Sequence, residues 1–358
     1  MLKHKYFRLG LALASSLLFI LIVQLLYHTP KFATTYYSNE IYIYLSKILR
    51  YIFGWLPFSF GDVCYITALG YIIRKGYFIL RHLKKPKKHV LHVVCFLGIC
   101  SMCFYMFWGV NYCREPLHKT LKVNEKYTTE QLVDITEKLL KKANDIHVQI
   151  TGHDTIKVDF IYSKNQLINM AAKGYNDSLK RVIPNLDYNP KSIKMSLLSF
   201  PLTYMGFSGY LNPFTNEAQV NALIPEHKVP VTASHEIAHQ LGYAAENEAN
   251  FIGFMAAISH DNMYFKYSGY IFGLRYCLNE IYKRDVCLFE DLRADINKGV
   301  MKHYADSSAF WNLYKNPIEP FFKWFYNGYL KTHKQHKGIT SYSYVVALIC
   351  NTKHLWGF

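Results

Sequence analysis

The hydrophobic pattern separates an apolar N-terminal part of the chain from a mixed C-terminal part. Residues 9–27 carry no charge, residues 61–80 are mostly apolar with one Arg-Lys pair, and residues 90–112 lack Asp, Glu, Lys and Arg. A helix of each length can cross the hydrocarbon core of a bilayer. The pattern therefore predicts three transmembrane helices, at about 9–27, 61–80 and 90–112, in a membrane region of residues 1–112.

The pattern of residues 113–358 predicts a second, mainly helical domain with a small sheet, of the α+β class. Thr128 and Gln131 form the sequence of a capping box and begin an amphipathic stretch that continues to Ala143. Alternating or continuous apolar residues predict strands where the spacing is short, and a helical period predicts helices elsewhere. The predicted order is helix 128–143, strands 147–151 and 157–162, helix 165–182, strand 193–199, then further helices.

Positive charge predicts the orientation of the membrane region. Seven Lys and Arg lie between Arg74 and Lys88, but only three lie between the first and second predicted spans. Because loops rich in Lys and Arg stay in the cytoplasm, the N-terminus is expected inside and residues 113–358 outside.

The net charge of +16 adds little beyond this topology. Residues 1–112 hold 13 Lys/Arg and 2 Asp/Glu, a net +11, which leaves +5 for the rest of the chain. The basic excess thus fits contact with the anionic headgroups of a lipid bilayer, and it predicts no nucleic-acid partner.

The strongest chemical signal is the H-E-x-x-H sequence of His235, Glu236 and His239. If Pro230 occupies the first turn of a helix, the two histidines lie one turn apart on one face and can hold one zinc ion. Glu236 is then placed to act as general base for a water molecule. The chain has 16 histidines, so a chance match in which both are ordinary core residues stays open.

A third ligand is expected from the next helical run, which begins after Gly242. Glu246 and Glu248 both lie in its first turn. On a helix their side chains point in directions about 200° apart, so both cannot face one metal ion. Glu246 is the predicted ligand, and Glu248 is its rival.

The stretch Glu246-Asn247-Glu248-Ala249-Asn250 resembles the E-x-x-A-D/N signature that follows H-E-x-x-H in gluzincin peptidases. The resemblance is to the HtpX and CAAX prenyl protease type and to the ImmA/IrrE type. It implies that Glu246 is the third Zn²⁺ ligand and that Asn250 orients the ligands. It also implies a zincin-like metallopeptidase domain.

The whole chain resembles an uncharacterised bacterial family of three-span membrane proteins with a zinc-peptidase-like domain. The matching stretches are residues 55–62, 108–112 and 338–342. This resemblance implies an integral protein of the bacterial inner membrane whose soluble domain lies on the extracytoplasmic, periplasmic side.

A substrate-binding strand is predicted just before the motif. Residues 217–224 alternate polar and apolar, as an edge strand does. An unpaired strand edge takes up an extended peptide as an added strand, so Glu217 and Asn221 are candidate substrate contacts. The alternative is an ordinary edge strand whose polar side chains are solvated.

A peptidase also needs a donor for the oxyanion that forms on the attacked carbonyl. The nearest downstream candidates are His260, Tyr267 and Arg275.

Together these features predict a membrane-anchored zinc metalloendopeptidase that hydrolyses a peptide or a membrane or envelope protein. Two alternatives belong to other classes. One is a catalytically silent, zinc-bearing sensor or binding domain at the cell envelope, and the other is a metal-free helical interaction protein.

Overall fold

The computed structural model describes residues 2–81, 87–332 and 342–355. The described chain is mostly helical and contains one three-stranded sheet. The mainly helical class with a small sheet is therefore confirmed. The predicted match at 338–342 lies outside the described residues except for Tyr342.

Helices dominate the N-terminal part. They are α1 (Leu2–Leu26), α2 (Pro30–Phe32), a π-helix (Ala33–Ile41), α3 (Tyr42–Gly54), α4 (Phe60–Arg81) and α5 (Lys87–Phe107).

Two of these helices contain a stretch long and apolar enough to cross a membrane, Phe60–Arg81 and Val90–Phe107, and almost none of either stretch is buried. Ala14–Leu26 and Pro30–Gly54 reach that length only together, across a bend of 104°. The described chain thus offers two spans, or three if the bent pair is one. Membrane association follows from apolar helices that the protein leaves uncovered.

The helix of the last predicted span, 90–112, ends before the apolar run does. α5 ends at Phe107, and Gly109–Cys113 forms a 3₁₀ turn. A Cβ atom on Gly109 would lie 2.5 Å from the ring of Phe104, so a larger residue there would displace the aromatic rings that pack on it. The aromatic end of the run therefore packs inside the protein instead of extending the helix.

The rest of the chain forms further helices around a common core. They are α6 (Leu117–Leu121), α7 (Thr129–Thr151), α8 (Lys164–Met170), α9 (Asp177–Val182), α10 (Ser199–Tyr204), α11 (Val229–Gln240), α12 (Glu246–Ile258), α13 (Met263–Arg284), α14 (Val286–Ala294), α15 (Lys298–Leu313), α16 (Glu319–Thr332) and α17 (Tyr342–Thr352).

The predicted strand at 147–151 is wrong, because helix α7 continues through it. The capping box of Thr128 and Gln131 begins α7 as expected. The helix ends only at Thr151, where Gly152 adopts a φ of 72°. Its buried stripe of Leu132, Ile135 and Leu139 continues with Ile146 and His147, whereas Val148 and Gln149 are exposed, as a helical period requires.

The predicted strand at 157–162 is also wrong, since these residues have no strand assignment. Val158 and Phe160 are buried, and the Phe160 ring lies 5.2 Å from that of Tyr264. The apolar alternation thus reflects side chains packed on α13 without a partner strand. The next predicted strand, 193–199, is shortened because Ser199 begins α10.

The sheet consists of β1 (Ile193–Met195), β2 (Gly209–Asn212) and β3 (Glu217–Val220) in the order β1-β3-β2. β3 is parallel to β1 and antiparallel to β2. The strand that was predicted as an edge is therefore the centre of the sheet, and its neighbour β2 lies at an edge.

The predicted substrate contacts on that strand are structural. The Glu217 carboxylate is fully buried, 2.5 Å from Lys194 Nζ, and it accepts a hydrogen bond of 2.6 Å from the Gly61 amide. Asn221 is also fully buried and donates to Thr203 Oγ1 and to the Phe207 carbonyl. Buried polar groups need such partners, so Glu217 holds the sheet to α4, and Asn221 holds its own segment to α10 and to Phe207.

Candidate metal centre

The H-E-x-x-H sequence lies on α11 as predicted. Pro230 occupies the first turn, where its missing N–H removes no helical hydrogen bond. His235 and His239 follow one turn apart, with ring centroids separated by 4.6 Å. α11 is buried along almost its whole length. The two imidazoles are thus held on a rigid element.

A backbone hydrogen bond selects the tautomer of His239. Its Nδ1 lies 2.8 Å from the Tyr243 carbonyl oxygen, which can only accept. In the neutral ring Nδ1 therefore carries the proton, and Nε2 has a lone pair that points to the opposite side of the ring. The Trp108 indole donates to the backbone carbonyl of His239 at 3.1 Å and closes the C-terminal end of the helix.

A tight connection brings α12 back against α11. Gly242 has a φ of 88°, which an L-residue with a side chain adopts only under strain. Gly253 lies so close to α11 that a Cβ atom there would meet the Cα of His235 at 2.9 Å. These two glycines permit the close helix pair that places the start of α12 beside the two histidines.

Glu246 completes a cluster of three ligand atoms. Its carboxylate oxygens lie 3.5 Å from His235 Nε2 and 3.6 Å from His239 Nε2. Ligand atoms at about 2.1 Å from a tetrahedral zinc ion are about 3.4 Å apart. The donor set of two imidazoles and one carboxylate, with the His239 lone pair directed into it, therefore fits a zinc ion. It is the only such group found among the described residues.

The rival ligand Glu248 faces elsewhere. Its carboxylate is buried and accepts a hydrogen bond of 2.6 Å from the Leu117 amide. Burial raises the pKa of Glu248 to about 7, although that hydrogen bond opposes the effect. The helical offset of the two glutamates thus separates a metal-facing carboxylate from one that holds α6.

The charges in the cluster stabilise one another. Burial by itself would raise the pKa of Glu246, but His239 and His235 hold it well below its usual range. Burial would likewise lower the pKa of His239, but the Glu246 carboxylate raises it to about 9. The Glu246 carboxylate therefore favours a positive charge beside it, which either a proton or a metal cation can supply.

Glu236 lies next to the cluster without belonging to it. Its side chain is buried, and Oε2 has no hydrogen-bond partner among the described residues. Burial raises the pKa of Glu236 to about 7, against the opposing effect of the two histidines. A buried carboxyl group that gains and loses a proton near neutral pH has the properties of a general acid-base catalyst.

The edge strand β2 passes directly over Glu236. A Cβ atom on Gly209 would lie 2.6 Å from Glu236 Oε1. Gly209 is therefore required for the strand to approach the carboxylate so closely. The sequence predicted a strand edge beside the motif at residues 217–224. In the structure, the edge strand next to Glu236 is β2.

A cavity of about 1030 Å³ contains the cluster. His235, Glu236, His239, Glu246 and the predicted orienting residue Asn250 all line it. A cavity of this size and mixed polarity is typical of a site that binds a sizeable ligand.

Of the three predicted oxyanion donors, only Arg275 lines the cavity. Tyr267 is fully buried against His147 and His303. The ring of His260 stacks on Phe265 with centroids 4.1 Å apart. The predictions for Tyr267 and His260 are therefore wrong, because the turns of α13 and the preceding loop direct both side chains into the core.

The structure adds Tyr326, which the sequence analysis missed. Its hydroxyl lies 2.5 Å from Glu246 Oε1 and lines the same cavity. Tyr326 belongs to α16, far along the chain from the motif. The chain has 30 tyrosines, and nothing in the local sequence of Tyr326 distinguishes it from the others. Only the tertiary contact identifies it.

The chain belongs to a family described as proteins of unknown function (DUF3810), whose profile matches residues 37–350. No curated protein and no solved structure matches the chain. The matched range contains all of α11 and α12. The whole-chain family resemblance is confirmed to this extent, and the likeness to gluzincin peptidases rests on the motif alone.

Proposed function

We propose that this member of the DUF3810 family is a membrane-anchored, zinc-dependent metallopeptidase with a zincin-like domain. The observation that carries the proposal is the convergence of His235, His239 and Glu246 next to the unpartnered oxygen of Glu236. All four side chains line one large cavity. A buried structural core of histidines would need neither the carboxylates nor the open space.

Three residues would hold the metal, and a fourth would move the proton. A zinc ion held by His235, His239 and Glu246 would supply a Lewis acid that polarises a peptide carbonyl and acidifies water. Glu236 accepts a proton from the attacking water at Oε2 and returns it to the leaving amine. Its pKa near 7 suits both transfers at neutral pH.

The same cavity offers groups that position a peptide. The edge of β2 beside Glu236 presents backbone N–H and C=O groups to an extended chain. Arg275 is the cationic candidate for the oxyanion. The Tyr326 hydroxyl donates to Glu246 and so positions that ligand.

We further propose that the domain of residues 113–358 lies on the extracytoplasmic side of the inner membrane. The basic residues between α4 and α5 favour a cytoplasmic loop there. A C-terminal alkaline phosphatase fusion should then be active, and a C-terminal reporter that folds only in the cytoplasm should be dark. The opposite pair of readouts contradicts this orientation.

The test of the function is Glu236→Gln in the full-length protein. This change keeps the size of the side chain and removes its ability to accept a proton, so zinc content should stay at about one per chain. Hydrolysis should fall by a factor on the order of 10²–10⁴. Glu226→Gln, at an exposed glutamate just before α11, is the matched control and should keep full activity.

The two alternatives make different predictions in the same experiment. A silent zinc-bearing domain keeps its zinc and shows no hydrolysis that depends on Glu236. A metal-free interaction protein contains no zinc at all.

A further inference from the structure

The cavity extends to the depth of a candidate membrane span. Cys100, Ser101 and Phe104 of α5 line it together with the metal cluster. All three lie inside the span Val90–Phe107. At 1.5 Å per residue, Cys100 is about 10 Å along the helix from Phe107. One wall of the cavity therefore lies beside the region that a bilayer would surround.

Helix α3 supports the C-terminal end of α11, the helix that carries His235 and His239. Tyr42 and Ser46 each donate to the carbonyl of Gln240, at the end of α11, over 2.9 Å. The side chains on the opposite face of α3 and at its C-terminus are large, mostly apolar and exposed. They are Tyr44, Ile48, Tyr51, Ile52 and Trp55.

The bend before α3 explains this uncovered face. The helical pair Ala14–Leu26 and Pro30–Gly54 changes direction by 104°. If the first half crosses the bilayer, the second half runs nearly parallel to its surface. A helix in that plane buries aromatic and aliphatic side chains at the boundary between headgroups and acyl chains.

Helices α16 and α10 present a similar face on another side of the cavity. Phe322, Phe325 and Tyr326 of α16 line the cavity, while Phe321 and Trp324 point outward and are 59% and 71% exposed.

The exposed face continues onto α10. Phe200 is exposed there, and its ring lies 4.9 Å from that of Tyr204, which in turn contacts Tyr314 at 5.4 Å just before α16.

Helices α4, α5, α10 and α16 all contribute residues to the wall of the same cavity, and α3 is bonded to the end of α11. A soluble surface rarely exposes so many large apolar side chains together. The bilayer that must cover the exposed sides of α4 and α5 provides a cover for α3, α10 and α16 as well. A bilayer is therefore the occupant that the position and the composition of these faces favour.

We propose that the cavity opens at the bilayer surface, framed by α5 and α16, and that its substrates are polypeptides anchored in the same membrane. The substrate class rests on the proposed metallopeptidase function. An anchored chain enters beside α5 and α16 and reaches Glu236 along the edge of β2, whereas a soluble peptide must first partition to the membrane.

The substrate class is tested with the full-length protein in vesicles of phosphatidylethanolamine and phosphatidylglycerol. The probe is one mixture of short random peptides in three forms: free, coupled directly to a phospholipid headgroup, and coupled through a long polyethylene glycol spacer. Directly coupled peptides should be cleaved at least about tenfold faster than free ones, because anchoring raises their local concentration at the cavity. A preference for the free or the long-spacer form overturns the proposal.

A pair of surface variants separates the bilayer contact from the chemistry. Phe321→Lys with Trp324→Lys should remove the advantage of the directly coupled peptides and leave cleavage of free peptides unchanged. Ile161→Lys with Val286→Lys changes two exposed apolar residues outside the framing helices and should alter neither. Equal behaviour of the two double variants contradicts a role for α16. If no form is cleaved in a Glu236-dependent way, the proposed function itself fails.

Bilayer contact is also measured without any activity. In vesicles made with brominated acyl chains, the fluorescence of Trp55 and Trp324 should be quenched. Trp324→Phe and Trp55→Phe should therefore each reduce the part of the fluorescence that bromine quenches. Trp311→Phe is the control, since Trp311 is half-buried with Lys228 over its ring. If Trp55 and Trp324 are quenched by aqueous iodide and not by bromine, the cavity does not open at the bilayer surface.

Discussion

Two pairs of histidines in this protein have nearly the same ring separation and very different surroundings. The rings of His235 and His239 are 4.6 Å apart, and those of His227 and His303 are 4.4 Å apart. His239, His227 and His303 are buried, and His235 is nearly so. Proximity and burial therefore do not distinguish a metal centre from an ordinary core cluster.

The difference is a carboxylate and an open side. His235 and His239 face Glu246 and the large cavity. His227 instead contacts the Ser307 hydroxyl at 2.7 Å, and His303 packs among the rings of Phe160 and Tyr267.

The pKa of His239 and the pKa values of the core pair shift in opposite directions for this reason. Burial lowers the pKa of His303 to about 4 and holds that of His227 well below its usual range. The Glu246 carboxylate overcomes the same effect at His239 and raises its pKa to about 9. An anionic group in the site thus reverses the effect of burial on the pKa of a histidine.

The largest expected difference between the pairs is in bound zinc. His235→Ala should reduce the zinc content of the purified full-length protein from about one per chain to none, because it removes one of three protein ligands. His227→Ala should keep the zinc. Elemental analysis of both variants decides the matter, and equal zinc in the two would remove the proposed site.

A second difference should appear between two neighbouring glutamates. Glu246→Ala should weaken zinc binding by more than about 100-fold, because Glu246 itself faces the metal position. Loss of a hydrogen bond to a metal ligand costs only about 10–100-fold. Glu248→Ala should leave zinc affinity nearly unchanged, since its carboxylate bonds to the Leu117 amide. Competition with a zinc chelator measures both, and the reverse result would make Glu248 the ligand.

The core pair should respond to acid. His303 has a folded-state pKa of about 4 against an ordinary value of 6.5, so its stabilising contribution is complete above pH 6.5. As the pH falls from 6.5 through 4, that contribution is lost, and the free energy of unfolding decreases by about 3 kcal/mol. His303→Phe should flatten the loss in denaturant titrations between pH 7 and 4. An unchanged slope would mean that His303 does not titrate there.

The smallest effect is expected from Tyr326, which acts on the centre through a ligand. Tyr326→Phe removes the hydroxyl that bonds Glu246 and keeps the ring that lies 5.2 Å from Phe207. Zinc affinity or activity should fall about 10-fold, at the lower end for loss of a ligand's outer hydrogen bond. Tyr314→Phe, whose ring packs on Tyr204, is the control. An identical loss in both variants would point to packing and not to the hydroxyl.

Local patterns in the sequence determined the parts of this protein that depend on helical period and on apolar length. The spacing of His235 and His239 places them on one face of any helix, and the apolar runs within α4 and α5 require a nonpolar environment whatever the rest of the fold does. The capping box at Thr128 is equally local, and it begins α7 where the sequence predicted.

Tertiary structure decided which strand lies at the edge, because strand order depends on residues far apart in the chain. Residues 217–224 alternate as an edge strand does, but β1 and β2 pair on both sides of β3, and Lys194 and Gly61 take up Glu217. The alternation came from a sheet with polar side chains buried on one face, and periodicity cannot distinguish that from solvation.

The choice of side chains around the metal centre was also a tertiary decision. Glu246 and Glu248 share one turn of α12, and only the close packing of that helix through Gly253 directs the first to the histidines. Arg275 lines the cavity while Tyr267, on the same helix, enters the core. Tyr326 reaches Glu246 from a distant helix, because a site is assembled by packing in space, which a one-dimensional pattern does not encode.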